Sequence, residues 1–250
     1  MRLPPSSQAR HHGLVCKLQR SIYDLKQALR LWFSGFSDTL IEFGFVQSLN
    51  DDSLFTMTTN ENFMILIVYF DDVVFTGTAS QLIEKVMLFI HDKFHIKDLG
   101  NLKYFLGLEV ARSSAGIFLN HRKYVMDMLD EYQFTECKPI KTPMETKHGL
   151  GLSSAPLLPD ASVYRRLIGR LIYLTITRPD LSFPVHVLSQ FMKTPNKDHL
   201  RAAQRVLRFI KLAPAQGLFF PSNSSLHLTA YCDADSESCL ITPRFSATIV

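Results

Sequence analysis

The stretch FMILIVYFDDVVFTG, residues 63–77, restricts what the chain can fold into more than any other. Two apolar runs of strand length, rich in Ile, Val and Phe, flank a short polar break. That pattern predicts a hairpin of buried strands with Asp71 and Asp72 at its tip. Neighbouring strand residues point to opposite faces, so the two carboxylates diverge, and each must reach water or a cation. Read alone, the pair is either a solvated acidic turn or the start of a cation site.

The flanking sequence places this hairpin in an α+β unit with an antiparallel sheet. From Ser21 to Phe43 the apolar residues Ile22, Leu25, Leu29, Trp32, Phe33, Phe36, Leu40 and Phe43 fall at steps of three and four, which predicts a helix stopped by Gly44. A second helix is expected over 80–94, with Leu82, Val86, Phe89 and Ile90 inward and a capping box from Thr78 and Gln81. YFLGLEV and GIFLN read as strands around RSSAG, and a third helix covers 121–132. The segment 139–161 holds four prolines and no periodicity, and reads as a linker. Beyond it the pattern is helical to about Leu212. Pro179 suits a helix start, and Pro184 is expected to kink that helix from inside. LHLTAYCDAD alternates like a strand entering a new sheet.

Composition narrows the function less than charge placement does. The net charge of +4 is too small to argue for a polyanionic partner, yet residues 165–211 carry ten Lys or Arg against Asp180 and Asp198, a local balance of 10 − 2 = +8. Cys16, Cys137, Cys232 and Cys239 form no C-x-x-C pair, which points to neither a zinc site nor a disulfide framework and fits a reducing compartment. The stretch MRLPPSSQARHHG has no apolar core of the length a secretory signal needs, and the longest apolar run, residues 63–70, is far short of a membrane span, so no membrane partner is expected.

Five segments, LVCKLQRSIYDLKQALRLWF, ILIVYFDDVVFTG, IKDLGNLKYFLGLEV, RRLIGRLIYLTITRPDLSF and YCDAD, occur in the order and spacing of one known family. The chain closely resembles the reverse transcriptase region of Ty1/copia-type LTR retrotransposon polyproteins, over about residues 2–244. The resemblance implies a palm-like antiparallel sheet with helices, then a mainly helical segment and the start of an RNase H-like sheet. It divides the chain into a partial reverse transcriptase (1–138), a linker (139–161), a helical connection (162–226) and a truncated RNase H-like start (227–250).

Residue by residue, Tyr69, Phe70, Asp71 and Asp72 resemble the Y-x-D-D turn whose carboxylates bind Mg²⁺ or Mn²⁺, Asp72 being the weaker ligand. SIYDLKQALR resembles the segment that contacts nucleotide and template. Lys26, Gln27 and Arg30 match it, whereas Asp24 stands for the family's Gly and Leu29 for its Pro. Lys97 matches a lysine near the triphosphate, and Phe105, Leu106 and Gly107 match the primer grip. Asp233 resembles the first metal-binding carboxylate of RNase H. An RNA template and a DNA primer are the partners implied.

The family's polymerases use a third carboxylate, from a strand upstream of the nucleotide-contacting segment. The sequence here starts after that strand, so the expectation is weak metal binding and a fragment inactive by itself. The alternative is a catalytically dead nucleic-acid-binding remnant, or a retroelement-derived product without function. Arg201, Arg205 and Arg208 share one stripe of an expected helix over 198–211 and would be the phosphate-facing groups.

Overall fold

The computed structural model describes residues 27–59, 61–70 and 72–225, together with the backbone of strands 232–235 and 246–249. The chain is α+β and divides into two compact units, Met1–Gly100 and Asn101–Val250.

In the first unit, helix α1 (Ala28–Phe43) ends where Gly44 takes φ 114°. Gly44 N–H returns to the Ile41 carbonyl and Phe45 N–H to that of Leu40, each at 3.0 Å, so the last carbonyls of the helix are satisfied and Phe45 turns into the core. Four antiparallel strands follow, β1 (Val46–Gln47), β2 (Leu54–Thr58), β3 (Phe63–Tyr69) and β4 (Asp72–Gly77), in the order β1-β2-β3-β4. Met64, Leu66 and Val68 alternate inward along β3, opposite Met57 and Phe55 of β2. Helix α2 (Ser80–Phe94) buries Val86 and Ile90 in the same core, which also takes Phe36 and Leu40 from α1. Phe36 meets Phe94 at 5.1 Å and Phe43 meets Phe89 at 4.9 Å between ring centroids, so the two helices lie together on one side of the sheet.

Three expectations change here. The sheet has four strands, because FVQ and LFTMT also pair. Leu29 is 47% exposed and takes no part in the core. Helix α2 is capped by Ala79 without a side-chain bond. Thr78 instead closes the sheet edge, its Oγ1 accepting from Phe63 N–H at 3.0 Å.

The second unit joins a sheet to a helical core. Strands β5 (Tyr104–Phe105), β6 (Leu108–Ser113), β7 (Gly116–Asn120) and β8 (Gly217–Pro221) pair antiparallel in that order. The fourth strand, GLFFP, was not anticipated from the sequence. It requires Gly217, since a Cβ there would lie 2.0 Å from the Leu119 carbonyl oxygen. The helices are α3 (Arg122–Glu131), α4 (Ala161–Leu174), α5 (Ser182–Ser189) and α6 (Lys197–Ile210). Their core gathers Met128, Leu167, Leu171, Leu188, Val206 and Leu207. Asp160 caps α4 by accepting from Ser162 N–H, and the buried Tyr164 hydroxyl donates to the Leu188 carbonyl at 2.7 Å, tying α4 to α5.

Pro184 does not kink a helix. A 3₁₀ turn, Pro179–Leu181, precedes α5, and Pro184 falls in the first turn of α5, where its missing N–H has no helical acceptor to lose. Residues 139–161 have little regular structure beyond the 3₁₀ turn Leu150–Leu152, yet they are strapped to α6. Leu150 is buried in the helical core, and Lys197 N–H donates to the Pro156 carbonyl. A separate antiparallel pair, β9 (Cys232–Asp235) and β10 (Ser246–Ile249), matches Asp233 with Thr248. No helix among the described residues is long and apolar enough to cross a membrane.

Candidate functional site

The acidic hairpin has a fixed register. Tyr69 of β3 pairs with Asp72 of β4, so two residues connect the strands. Phe70 takes φ 53°, a left-handed backbone that a bulky residue adopts only where its surroundings impose it. Its ring meets Tyr69 edge-on at 4.9 Å, and both rings are about half exposed. Leu66 and Val68 point to the helices, and the pleat therefore turns Tyr69 and its partner Asp72 to the helix-free face, beside Ile67 and Val74. Asp72 is exposed there, at the first position of a paired strand.

Asp71 lies outside the described residues. Among those described, no three His, Cys, Asp or Glu side chains gather so as to hold a metal ion. Asp72 is the hairpin's one described carboxylate, an oxygen donor of the type Mg²⁺ and Mn²⁺ take, but a hard cation needs further oxygen ligands around it.

Of the nucleotide-contact residues, Lys26 also lies outside the described residues. Gln27 is the N-cap of α1 and Arg30 lies in its first turn; both are exposed, and three residues apart they share one side of the helix. Lys97 is exposed in the coil after α2.

The Phe105–Gly107 segment belongs to the second unit. Phe105 pairs with Leu108, and the two connecting residues both have positive φ, 50° at Leu106 and 83° at Gly107, as a tight primed hairpin turn demands. Gly relieves one of these positions, and Leu106 bears the strain of the other. Sequence reasoning missed what supports it. The Tyr173 hydroxyl of α4 donates to the Leu106 carbonyl, and a Cβ on Gly107 would sit 3.5 Å from that hydroxyl oxygen and 3.9 Å from the His121 ring. His121, Tyr124 and Tyr173 form a cluster with centroids 5.0–5.7 Å apart. His121 is 1% exposed, and burial pushes its pKa down. Its Nδ1 lies 2.6 Å from Thr177 Oγ1, while its Nε2 finds no partner among the described residues. No local pattern marks residues so far apart in sequence as neighbours.

The basic stripe of α6 is not an open phosphate-facing surface. Arg205 donates to Glu145 at 3.0 Å and to Thr142 at 2.9 Å, Arg208 Nε to the Lys138 carbonyl at 2.9 Å, and Lys211 Nζ to the Cys137 carbonyl at 2.6 Å. These cations hold the crossing segment 137–145 to the helix. Arg201 remains largely exposed, with a 3.2 Å contact to Asp198. Arg178, counted with the local positive charge, is 1% exposed and gripped by Asp180, so the +8 balance overstates what solvent meets. Asp233 lies within β9, in register with Thr248.

Comparison with known proteins matches residues 1–146 to the family described as Reverse transcriptase (RNA-dependent DNA polymerase). The Retrovirus-related Pol polyprotein from transposon RE1 of Arabidopsis thaliana is 39% identical over 221 residues, 88% of this chain and 15% of the polyprotein. An uncharacterized mitochondrial protein of the same plant is 36% identical over 181 residues, 72% of this chain and 75% of that protein. A putative transposon Ty5-1 protein of Saccharomyces cerevisiae is 33% identical over 227 residues, 90% of this chain and 74% of its own length. The chain thus spans about 15% of the length of the first polyproteins it matches. No solved structure matches it.

Proposed function

Since this chain belongs to the reverse transcriptase (RNA-dependent DNA polymerase) family and its relatives are Ty1/copia-type retrotransposon Pol polyproteins, we propose that it is the palm and primer-grip part of an RNA-directed DNA polymerase, with nucleic acid as its substrate. In this reading residues 1–138 are the polymerase portion, 162–226 the connection after the 139–161 linker, and 227–250 the start of an RNase H-like domain around Asp233. The observation that carries the reading is the register of the acidic hairpin. Asp72 opens β4 opposite Tyr69 on the helix-free face, where a nucleic acid end could approach without displacing core side chains.

Asp71 and Asp72 would hold Mg²⁺ or Mn²⁺. Cations held there would supply activation of the primer 3′-hydroxyl and stabilisation of departing pyrophosphate. Lys26, Gln27 and Arg30 would face the triphosphate and template, with Asp24 opposing the triphosphate's charge. Phe105, Leu106 and Gly107 would seat the primer end. Two carboxylates on one turn do not enclose a hard cation, so cation binding at this turn would be weak and little templated extension is expected.

Two measurements test this. Mn²⁺ titration should broaden amide signals around Tyr69–Val73, and Asp71→Asn should remove the effect. Broadening indifferent to Asp71→Asn would eliminate the metal site. On an RNA template with a DNA primer these residues should give little extension; robust templated extension that vanishes in Asp71→Asn would overturn that expectation.

A further inference from the structure

We propose that the cavity between α6 and the segment crossing it from Phe134 to Leu150 binds a phosphate monoester carrying a flat apolar body, the chemistry and size of a nucleoside monophosphate. The inference goes beyond the polymerase reading and does not rest on it, because every residue that lines the cavity belongs to the second unit, whereas Asp71 and Asp72 belong to the first.

Charge is the first argument. Arg201, Arg205 and Arg208 stand at i, i+4 and i+7, one stripe of α6, and all three line the cavity together with the carboxylate of Glu145. Three guanidinium groups line the cavity with the Glu145 carboxylate, and Asp198 touches only Arg201 of the three, which leaves an excess of about one to two positive charges toward an anion such as a phosphate monoester. Like charges crowded on one stripe repel, and an anion between them removes that cost.

Donor supply is the second. Arg205 directs its terminal nitrogens to Glu145 and Thr142, but its buried Nε–H has no acceptor among the described residues. Arg208 gives Nε to the Lys138 carbonyl, and its terminal N–H groups have no partner among the described residues. Arg201 is tethered only by a 3.2 Å contact to Asp198, with its side chain 77% exposed. His148 accepts from Leu150 N–H through Nδ1 at 3.3 Å, which assigns its ring proton to Nε2 and makes it a further donor in the cavity wall. Guanidinium forks suit phosphate oxygens better than any other side chain does.

Size and lining are the third. The cavity measures about 460 Å³, within the range of small-molecule sites and roughly fifteen times the liquid volume of one water, far more than an ion alone would occupy. Phe134, Met144 and Leu150 add apolar side chains to the lining that holds the guanidinium row, and a flat ring can lie on them while its phosphate meets the arginines.

The test is calorimetric titration of the 250-residue protein with AMP, adenosine and inorganic phosphate. AMP should saturate one site, with adenosine and phosphate each at least about tenfold weaker, since each retains only half of the contacts. Arg201→Gln, at an exposed position that folding tolerates, should weaken AMP by about three- to tenfold. Ala202→Glu, which adds a carboxylate to the cavity wall, should abolish binding while circular dichroism remains native. Arg30→Gln, at the proposed polymerase contact, should leave AMP affinity unchanged. Absence of saturable AMP binding, equal affinity for adenosine, or AMP affinity lost in Arg30→Gln and retained in Arg201→Gln and Ala202→Glu would each overturn the proposal.

Discussion

Replacing Arg178 by Met should be among the most damaging single changes in the second unit. Its guanidinium is 1% exposed, donates Nε and Nη2 to the two oxygens of Asp180 at 2.9 and 2.8 Å, and donates Nη1 to the Ala213 carbonyl at 3.1 Å. The same group lies 5.7 Å from the Phe209 ring centre. It therefore clamps the 3₁₀ turn before α5 to the chain leaving α6. Methionine fills much of the space but removes the donors to Asp180, whose side chain is 32% exposed, and to the Ala213 carbonyl, which keeps Gln216 N–H; breaking a fully buried ion pair costs about 3–5 kcal/mol, and this partly solvated one should cost about 2–3 kcal/mol. Hydrogen exchange in peptides from α5 and α6 should accelerate by roughly thirtyfold to a hundred-and-fiftyfold if these amides exchange through opening of this unit. Arg178→Lys keeps the charge without the fork and should cost less, about 1–2 kcal/mol. In a double-mutant cycle, Arg178→Met with Asp180→Ala should cost clearly less than the sum of the single changes, because neither charge is then left alone. Additive costs, or Arg178→Met within about 1 kcal/mol of the parent protein, would refute the clamp.

Burial lowers the pKa of both His121 and His199, and the unfolded chain therefore takes their protons first as pH falls; stability of the second unit should be full above the ordinary histidine value of about 6.5 and decline below it, in denaturation midpoints compared across that range. His199 is fixed neutral by geometry as well, since its Nδ1 accepts from Asn196 N–H and its Nε2 faces the Leu150 carbonyl, so His199→Gln should flatten part of that decline. Gly217→Ala should break the β7–β8 pairing, because its Cβ would meet the Leu119 carbonyl oxygen at 2.0 Å, and amides of 116–120 should lose exchange protection. Tyr164→Phe removes the buried hydroxyl donor to the Leu188 carbonyl, which keeps its bond from Phe191 N–H, so the loss should be that of one net hydrogen bond, about 0.5–1.5 kcal/mol in urea denaturation.

The first unit was largely legible because its signals are local. The period of two in FMILIVY and the three-and-four spacing in α1 and α2 each lie within one element, and a hydrophobic face needs only its own side chains to announce itself. LFTMT carries the same alternation at half the length, next to the two-residue β1, and for that reason passed unread. Thr78 deceived because hydroxyls before a helix usually cap it; here the adjoining strand edge offered Phe63 N–H instead, and a sheet edge left open would have cost more than an uncapped turn.

The second unit was harder to read where cations matter, for a different physical reason. A charge count treats every guanidinium alike, whether water or a distant carbonyl holds it. Arg205 reaches Glu145 across 60 residues, Arg208 reaches Lys138 across 70 and Lys211 reaches Cys137 across 74, so nothing near them in sequence reveals the partners. Those long-range bonds also change what the stripe can do. A bare row of arginines would present a flat, screened surface suited to any polyanion. With the chain from 137 to 145 drawn across it, the same row lines a recess that it shares with Phe134, Met144 and Leu150, and a recess of that size suits a small anion better than it suits a long polyanion.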